Sequence, residues 1–64
     1  MIKINGNLIE ADEIMLADYL NENGYRTGRI AVECNVEIVP KSKYESFIIH
    51  SGDVVEIVSF VGGG

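Results

Sequence analysis

The stretch from Val54 to Val61 constrains the fold of this 64-residue chain more than any other feature. Its β-branched residues favour extended backbone, and the strand period of two sends Val55 and Ile57 to one face. Positions 54, 56, 58 and 60 then share the opposite face, and three of these four residues are apolar. The stretch therefore predicts a strand that packs on a helix through one face and carries an exposed apolar surface on the other.

Alternating segments predict the other strands. Met1 to Ile4 alternates, Asn5-Gly6 is a strong type I′ turn signal, and Asn7 to Glu10 can return as the second strand of a hairpin. Arg29 to Cys34 alternates again, and Val36 to Val39 is a short β-like run stopped by a proline. The side of the third strand that faces the core is expected to carry Ile30, Val32 and Cys34.

One helix is expected between the hairpin and the third strand. Asp12 can cap it with Glu13 in the first turn, and Gly24 suits the position after its end. Its apolar face at helical spacing would comprise Met15, Leu16, Tyr19 and Leu20. Residues 41–50 predict one helical or 3₁₀ turn against the core, through Tyr44, Phe47 and Ile48. The order of elements predicts an α+β fold, a small mixed sheet of four to five strands with one helix across it.

Charge and composition exclude several classes of function. The net charge of −5, from ten acidic and five basic residues, argues against a nucleic-acid partner, which requires a basic surface. No apolar run approaches the roughly 20 residues of a membrane span, and no signal peptide is recognisable, so we expect a cytoplasmic protein. Cys34 has no cysteine to pair with and lies in an alternating strand, which favours a buried small residue over a reactive thiol.

No catalytic or metal-binding constellation is recognisable. The single histidine, His50, lies beside a turn and is expected on the surface, so no metal or bound cofactor is predicted. The acidic residues of the first third lack a calcium-loop pattern and favour a solvated face: Glu10, Asp12, Glu13, Asp18 and Glu22. What remains is the glycine tail, Gly62-Gly63-Gly64, which we expect to be flexible and to follow a domain of residues 1–61. On composition alone, incidental fraying explains the glycines equally well.

Motifs along the whole chain decide between these interpretations: Asn5, Ile30-Ala31-Val32 with Asn35, Ile38-Val39-Pro40-Lys41, Gly52-Asp53-Val54-Val55-Glu56-Ile57-Val58, and Gly63-Gly64. In this combination the chain resembles the ThiS sulfur carriers of thiamine biosynthesis, a ubiquitin-like β-grasp family. One departure is Val36, where the family usually has glycine. Because a β-branched residue resists positive φ, we expect a different turn there, or one with only Asn35 in the left-handed region.

The resemblance implies a carrier rather than an enzyme. A ThiF-like adenylating enzyme would use ATP to adenylate Gly64, and sulfur from a donor protein would convert the adenylate into a thiocarboxylate. A ThiG-like thiazole synthase would then accept the sulfur. Gly62 and Gly63 would form the flexible segment that brings Gly64 to its partners. Three alternatives stay open: a molybdopterin synthase small subunit, a ubiquitin-like modifier, and a plain β-grasp interaction domain.

The outward face of the last strand is the predicted docking surface for these partners. Val54, Val58 and Phe60 form an apolar patch that a small domain does not need for its own folding. An alternative is that Phe60 only folds over the edge of the sheet.

Overall fold

The computed structural model describes residues 1–60. Within this range, seven short strands, one helix and two 3₁₀ turns follow one another in the order β1 (Ile2–Ile4), β2 (Asn7–Ile9), β3 (Glu13–Met15), α1 (Leu16–Glu22), 3₁₀ turn (Thr27–Arg29), β4 (Ile30–Cys34), β5 (Glu37–Val39), 3₁₀ turn (Lys41–Lys43), β6 (Ile48–His50) and β7 (Val54–Ser59).

Strand β7 lies at the centre of a five-stranded sheet with the order β2-β1-β7-β4-β5. It pairs in parallel with β1 on one side and antiparallel with β4 on the other. The other two pairings in this sheet, β1 with β2 and β4 with β5, are antiparallel hairpins. Strands β3 and β6 form a separate two-stranded sheet. The predicted mixed sheet with one helix is confirmed.

The core lies between the helix and one face of the five-stranded sheet. Leu16 and Leu20 of α1 are fully buried, and burying one such side chain stabilises the fold by about 1.5–3 kcal/mol. The sheet contributes the alternate residues of its strands: Ile2, Ile4, Ile30, Val32, Cys34, Val39, Val55 and Ile57. The period-two predictions for β4 and β7 are therefore confirmed.

The helix ends where the sequence predicts. Gly24 has a φ of +75°, a conformation that glycine adopts without the steric cost of a Cβ. The N–H of Gly24 donates to the carbonyl of Asn21 at 3.3 Å, and that of Tyr25 donates to the carbonyl of Leu20 at 2.9 Å. These two bonds form a Schellman motif, which satisfies the last carbonyls of the helix.

The predicted start of the helix is wrong. Neither Asp12 nor Glu13 belongs to α1, because Glu13–Met15 forms β3 and pairs with β6. The helix begins at Leu16 without a side-chain cap, and the N–H of Leu16 donates instead to the carbonyl of Phe47 at 3.0 Å. Because a neighbouring backbone supplies the acceptor, the capping signal at Asp12 is not used.

The helical spacing in residues 41–50 is only partly realised. A 3₁₀ turn forms at Lys41–Lys43, Tyr44 is buried, and Phe47 packs against the core. Ile48, however, lies in strand β6 and is exposed, which contradicts its predicted place in the turn. Pairing of β6 with β3 overrides the local helical pattern.

The expectation for the turn at Val36 is also wrong. Both Asn35 (φ +53°) and Val36 (φ +72°) are left-handed, as are Asn5 and Gly6 in the first hairpin. A two-residue hairpin loop with a type I′ turn has positive φ at both positions, which matches the twist of its strands. The β4–β5 hairpin therefore imposes on valine a conformation that costs about 1–2 kcal/mol.

Candidate functional site

Strand β7 remains hydrogen-bonded to β4 up to the last described residue. The N–H of Phe60 donates to the carbonyl of Arg29 at 2.8 Å, which extends the β4·β7 ladder by one bond beyond Ser59. Residues 61–64 follow directly, so the predicted site residues Gly62, Gly63 and Gly64 lie outside the described residues. The predicted boundary between domain and tail lies there as well.

Two asparagines hold β7 from opposite sides. The N–H of Asn5 donates to the carbonyl of Val55 at 2.9 Å, and its Oδ1 accepts from the N–H of Ile57 at 2.7 Å. Across the sheet, the N–H of Asn35 donates to the carbonyl of Val54 at 2.7 Å, and its Oδ1 accepts from the N–H of Val54 at 2.9 Å. Each left-handed asparagine thus extends the ladder past the end of its own strand.

Asp53 joins the second of these asparagines to the turn before β7. Its carboxylate accepts from the N–H of His50 at 2.9 Å and from Nδ2 of Asn35 at 3.0 Å. These two hydrogen bonds, the one from His50 first, hold the pKa of Asp53 below its usual value. The turn that starts β7 is therefore fastened most firmly when Asp53 is ionised.

Cys34 is buried, as predicted. Burial raises the pKa of its thiol, and the nearby carboxylate of Asp53 raises it further. A thiol with a raised pKa has little thiolate at neutral pH, so Cys34 fits a packing role. His50 is exposed, as expected, and its Nε2 lies 3.8 Å from Oε2 of the equally exposed Glu13.

The outer face of the sheet carries Val54 and Val58, whose exposed fractions are 42% and 56%. The strand register places two further exposed apolar residues on this face, but charged side chains separate them from the valines. Lys3 on β1 lies between Val54 on β7 and Leu8 on β2. On the other side of β7, Ala31 on β4 lies opposite Val58. A larger apolar residue, Ile38, lies opposite Glu33 at the other side of the sheet. Leu8 and Ile38 are exposed and were not singled out in the sequence, although the alternation in β2 and β5 carries the signal.

Phe60 lies at the end of the sheet and is 54% exposed. It lines a depression of about 230 Å³ together with Tyr25, Arg26 and Arg29. The predicted patch is therefore divided into two valines on the sheet face and Phe60 at the point where the chain leaves the sheet. Its role in docking stays a prediction.

Within residues 1–60, the structure assembles no group of three His, Cys, Asp or Glu side chains that could hold a metal ion. No helix in the same part of the chain has the length and apolar character needed to cross a membrane.

Comparison with known proteins identifies the family. The family model of ThiS matches residues 2–64, nearly the whole sequence. The chain belongs to the ThiS family. The predicted membership in this family of sulfur carriers of thiamine biosynthesis is thereby confirmed.

Individual relatives show how far the similarity extends. The sulfur carrier protein ThiS of Bacillus subtilis is 36% identical, and the alignment covers 100% of both chains. A thiazole synthase of Paramagnetospirillum magneticum is 51% identical over 45 residues, which are 70% of this chain but only 14% of the synthase. The crystal structure of the thiamine biosynthesis protein ThiS from Geobacter metallireducens superposes with a TM-score of 0.74 at 24% identity and covers 98% of this chain and 97% of that one. That likeness confirms the β-grasp fold.

Proposed function

We propose that this ThiS family member carries sulfur on its C-terminal glycine, Gly64, and supplies it for the formation of a thiazole. The observation that carries the proposal is the family match, which spans residues 2–64 and so includes the glycine tail. The position of β7 supports it, because the strand that precedes the glycines is the central strand of the sheet.

In the proposed chemistry, the carboxylate of Gly64 must be activated by a partner enzyme. A C-terminal carboxylate has a pKa of about 3.3–3.7, so it is ionised at neutral pH and its carbon resists nucleophiles. In the proposed reaction, a carboxylate oxygen of Gly64 attacks the α-phosphorus of ATP, and pyrophosphate leaves. A hydrosulfide ion delivered by a donor protein then attacks the acyl carbon and displaces AMP, and loss of the proton from sulfur gives the thiocarboxylate. The adenylating enzyme binds the ATP and supplies catalysis, and the chain itself is a protein cosubstrate.

The geometry limits where the partner can place its active site. Four residues follow Phe60 in the sequence, and a fully extended backbone of that length spans at most about 14 Å. Gly64 must therefore react within about 14 Å of Phe60, whose N–H bonds to the carbonyl of Arg29. The folded domain and the partner must consequently be in contact while the reaction takes place.

The same four residues explain why a docking surface is needed. Fixing them costs about 4–8 kcal/mol, and glycine lies at the unfavourable end of that range. Contacts with glycine backbone alone offset little of this cost. We propose that Val54, Val58 and Phe60 supply the rest by packing on the adenylating enzyme and, in turn, on the thiazole synthase. The apolar character of Leu8 and Ile38 on the same face supports this assignment.

A thiazole synthase is the proposed acceptor of the sulfur. A segment of the Paramagnetospirillum synthase is similar to this chain, which supports a functional association between a ThiS-like domain and synthases of that class. The sulfur donor is proposed only as a class, a protein that delivers a sulfur nucleophile to the adenylate.

Reconstitution tests the proposal. The purified protein is incubated with a ThiF-like adenylating enzyme, ATP and a sulfur source, and its intact mass is then measured. We expect the mass change for one oxygen replaced by sulfur. A variant with one alanine added after Gly64 should stay unmodified, because its activated carbon would belong to the wrong residue, whereas an N-terminal tag should be tolerated. Full sulfur transfer to the extended and untrimmed variant would contradict the proposal.

A further inference from the structure

Two arginines lie beside the end of β7. Arg26 precedes the 3₁₀ turn Thr27–Arg29, and the N–H of Arg29 donates to the carbonyl of Arg26 at 2.9 Å. This hydrogen bond brings the backbones of the two arginines together, and both residues line the same depression at the end of β7. The carbonyl of Arg29 also accepts the hydrogen bond from Phe60, which ties the turn to the last residue of the ladder.

The arginines line the depression of about 230 Å³ together with Tyr25, Ile30, Ser59 and Phe60. Although the chain has ten acidic residues, none from the described part of it lines this depression. Among residues 1–60, neither arginine forms an ion pair, and both are exposed. A chain of net charge −5 thus presents a positive corner at the point where its glycine tail begins.

This corner suits an anionic group held between guanidinium groups and aromatic rings. Arginine presents a planar fork of donors that binds carboxylates and phosphates in a bidentate manner. The distance from Phe60 to the reaction centre distinguishes between carboxylates and phosphates as the ligand. A nucleotide that reacts with Gly64 can lie as far as about 14 Å beyond Phe60, whereas an ion pair requires its N and O atoms to lie within about 4 Å. When the tail is extended in the partner's channel, the reacting phosphates lie beyond this range, and carboxylates at the entrance of the channel are the ligands that the arginines can reach.

We propose that Arg26, Arg29 and Phe60 form a docking corner for acidic side chains at the entrance of the channel that receives the glycine tail in the adenylating enzyme. This inference rests on the proposed function. The rest of the carrier is acidic and is repelled by such an entrance, so the corner fixes the orientation in which the tail enters. Arg26 and Arg29 act in docking and positioning and do not touch the reacting atoms.

The test measures ATP–pyrophosphate exchange by the adenylating enzyme at increasing concentrations of carrier. We expect R26Q/R29Q to raise the KM for the carrier about tenfold, with kcat unchanged, because only encounter and docking are weakened. Raising the salt concentration should increase the KM of the wild-type protein more than that of the double variant. R26K/R29K should lie between the two, since lysine keeps the charge and loses the bidentate geometry.

Lys43 provides a control for the loss of positive charge elsewhere, because K43Q removes one charge, half the change of the double variant, from a 3₁₀ turn that does not line this depression. Its KM should stay within about twofold of wild type. The thermal transition of R26Q/R29Q should also stay close to wild type, since both side chains are exposed.

Three results would overturn the inference. An unchanged KM in R26Q/R29Q refutes the docking corner and leaves the proposed function intact. A lowered kcat at unchanged KM, together with chemical-shift changes at Arg26 and Arg29 when the isolated carrier is titrated with pyrophosphate, assigns the arginines to phosphate. Absence of exchange with the wild-type protein refutes the proposed function itself and the inference with it.

Discussion

Replacing Asn5 by alanine should weaken the attachment of β7 to the sheet. The substitution removes Oδ1, the acceptor 2.7 Å from the partly buried N–H of Ile57, and leaving such a donor unpaired costs about 1–3 kcal/mol. It also forces alanine into the left-handed region at a φ of +50°, which adds about 1 kcal/mol. The total of about 2–4 kcal/mol is a large share of the roughly 3–10 kcal/mol that stabilises a domain of this size.

Two further substitutions at Asn5 separate these contributions. Asn5→Gly tolerates the positive φ and loses only the acceptor, so it should cost about 1 kcal/mol less than Asn5→Ala. Asn5→Asp keeps an acceptor oxygen and should cost less than about 1 kcal/mol. It gives up only the long 3.4 Å hydrogen bond from Nδ2 to the hydroxyl of Tyr25.

Urea unfolding, monitored by circular dichroism, measures the free energy of unfolding of each of the three variants. Amide hydrogen exchange reports on the N–H of Ile57. Exchange at Ile57 should accelerate in Asn5→Ala and Asn5→Gly and stay near the wild-type rate in Asn5→Asp. The reasoning is refuted if Asn5→Ala costs less than about 0.5 kcal/mol, or if Asn5→Asp is as unstable as Asn5→Ala.

Three other perturbations address the docking patch, the strained turn and the response to pH. Phe60→Ala should weaken binding of the adenylating enzyme by about 1–3 kcal/mol with little change in the thermal transition; wild-type affinity for it and for Val58→Asp in calorimetric titration would rule out the patch. Val36→Gly should raise stability by about 1 kcal/mol, because Val36 is 90% exposed and its φ of +72° is relieved; a lower melting temperature would contradict this. Because the pKa of Asp53 is lowered by folding, its contribution to stability is full above the ordinary pKa of an aspartate and is lost as pH falls through the lower folded value. Asp53→Asn should therefore lose less stability than the wild-type protein as pH falls into the acid range. An unchanged pH dependence of the free energy of unfolding would contradict this role of Asp53.

The sequence predicted those elements whose signals are local and whose conformation no neighbour contests. Asn5-Gly6 adopts the expected turn, Gly24 ends the helix, and β7 alternates as expected. Asp12 failed as a cap because the carbonyl of Phe47, remote in sequence, satisfies the first N–H of the helix. Val36 shows the same limit, because the geometry of its hairpin outweighs the preference of one side chain.

The candidate site was predictable to a similar extent. The period of two gives the exposure of Val54 and Val58 directly. The wider apolar face was predictable only in part: alternation exposes Leu8 and Ile38, but the register of two further strands decides that they share a face with the valines. The docking corner depends on a 3₁₀ turn that no residue pattern indicated, since Arg29 was expected to begin the third strand and instead ends this turn.

The most direct test of the central claim is the location of sulfur in the protein purified from its own host. Intact-mass measurement followed by fragmentation should find a fraction of the molecules with one oxygen replaced by sulfur, and the C-terminal fragment should assign that sulfur to the carboxyl group of Gly64. If the sulfur is found elsewhere, for example on Cys34, or if Gly64 remains an ordinary carboxylate even when the adenylating enzyme, ATP and a sulfur source are present, the carrier function is contradicted.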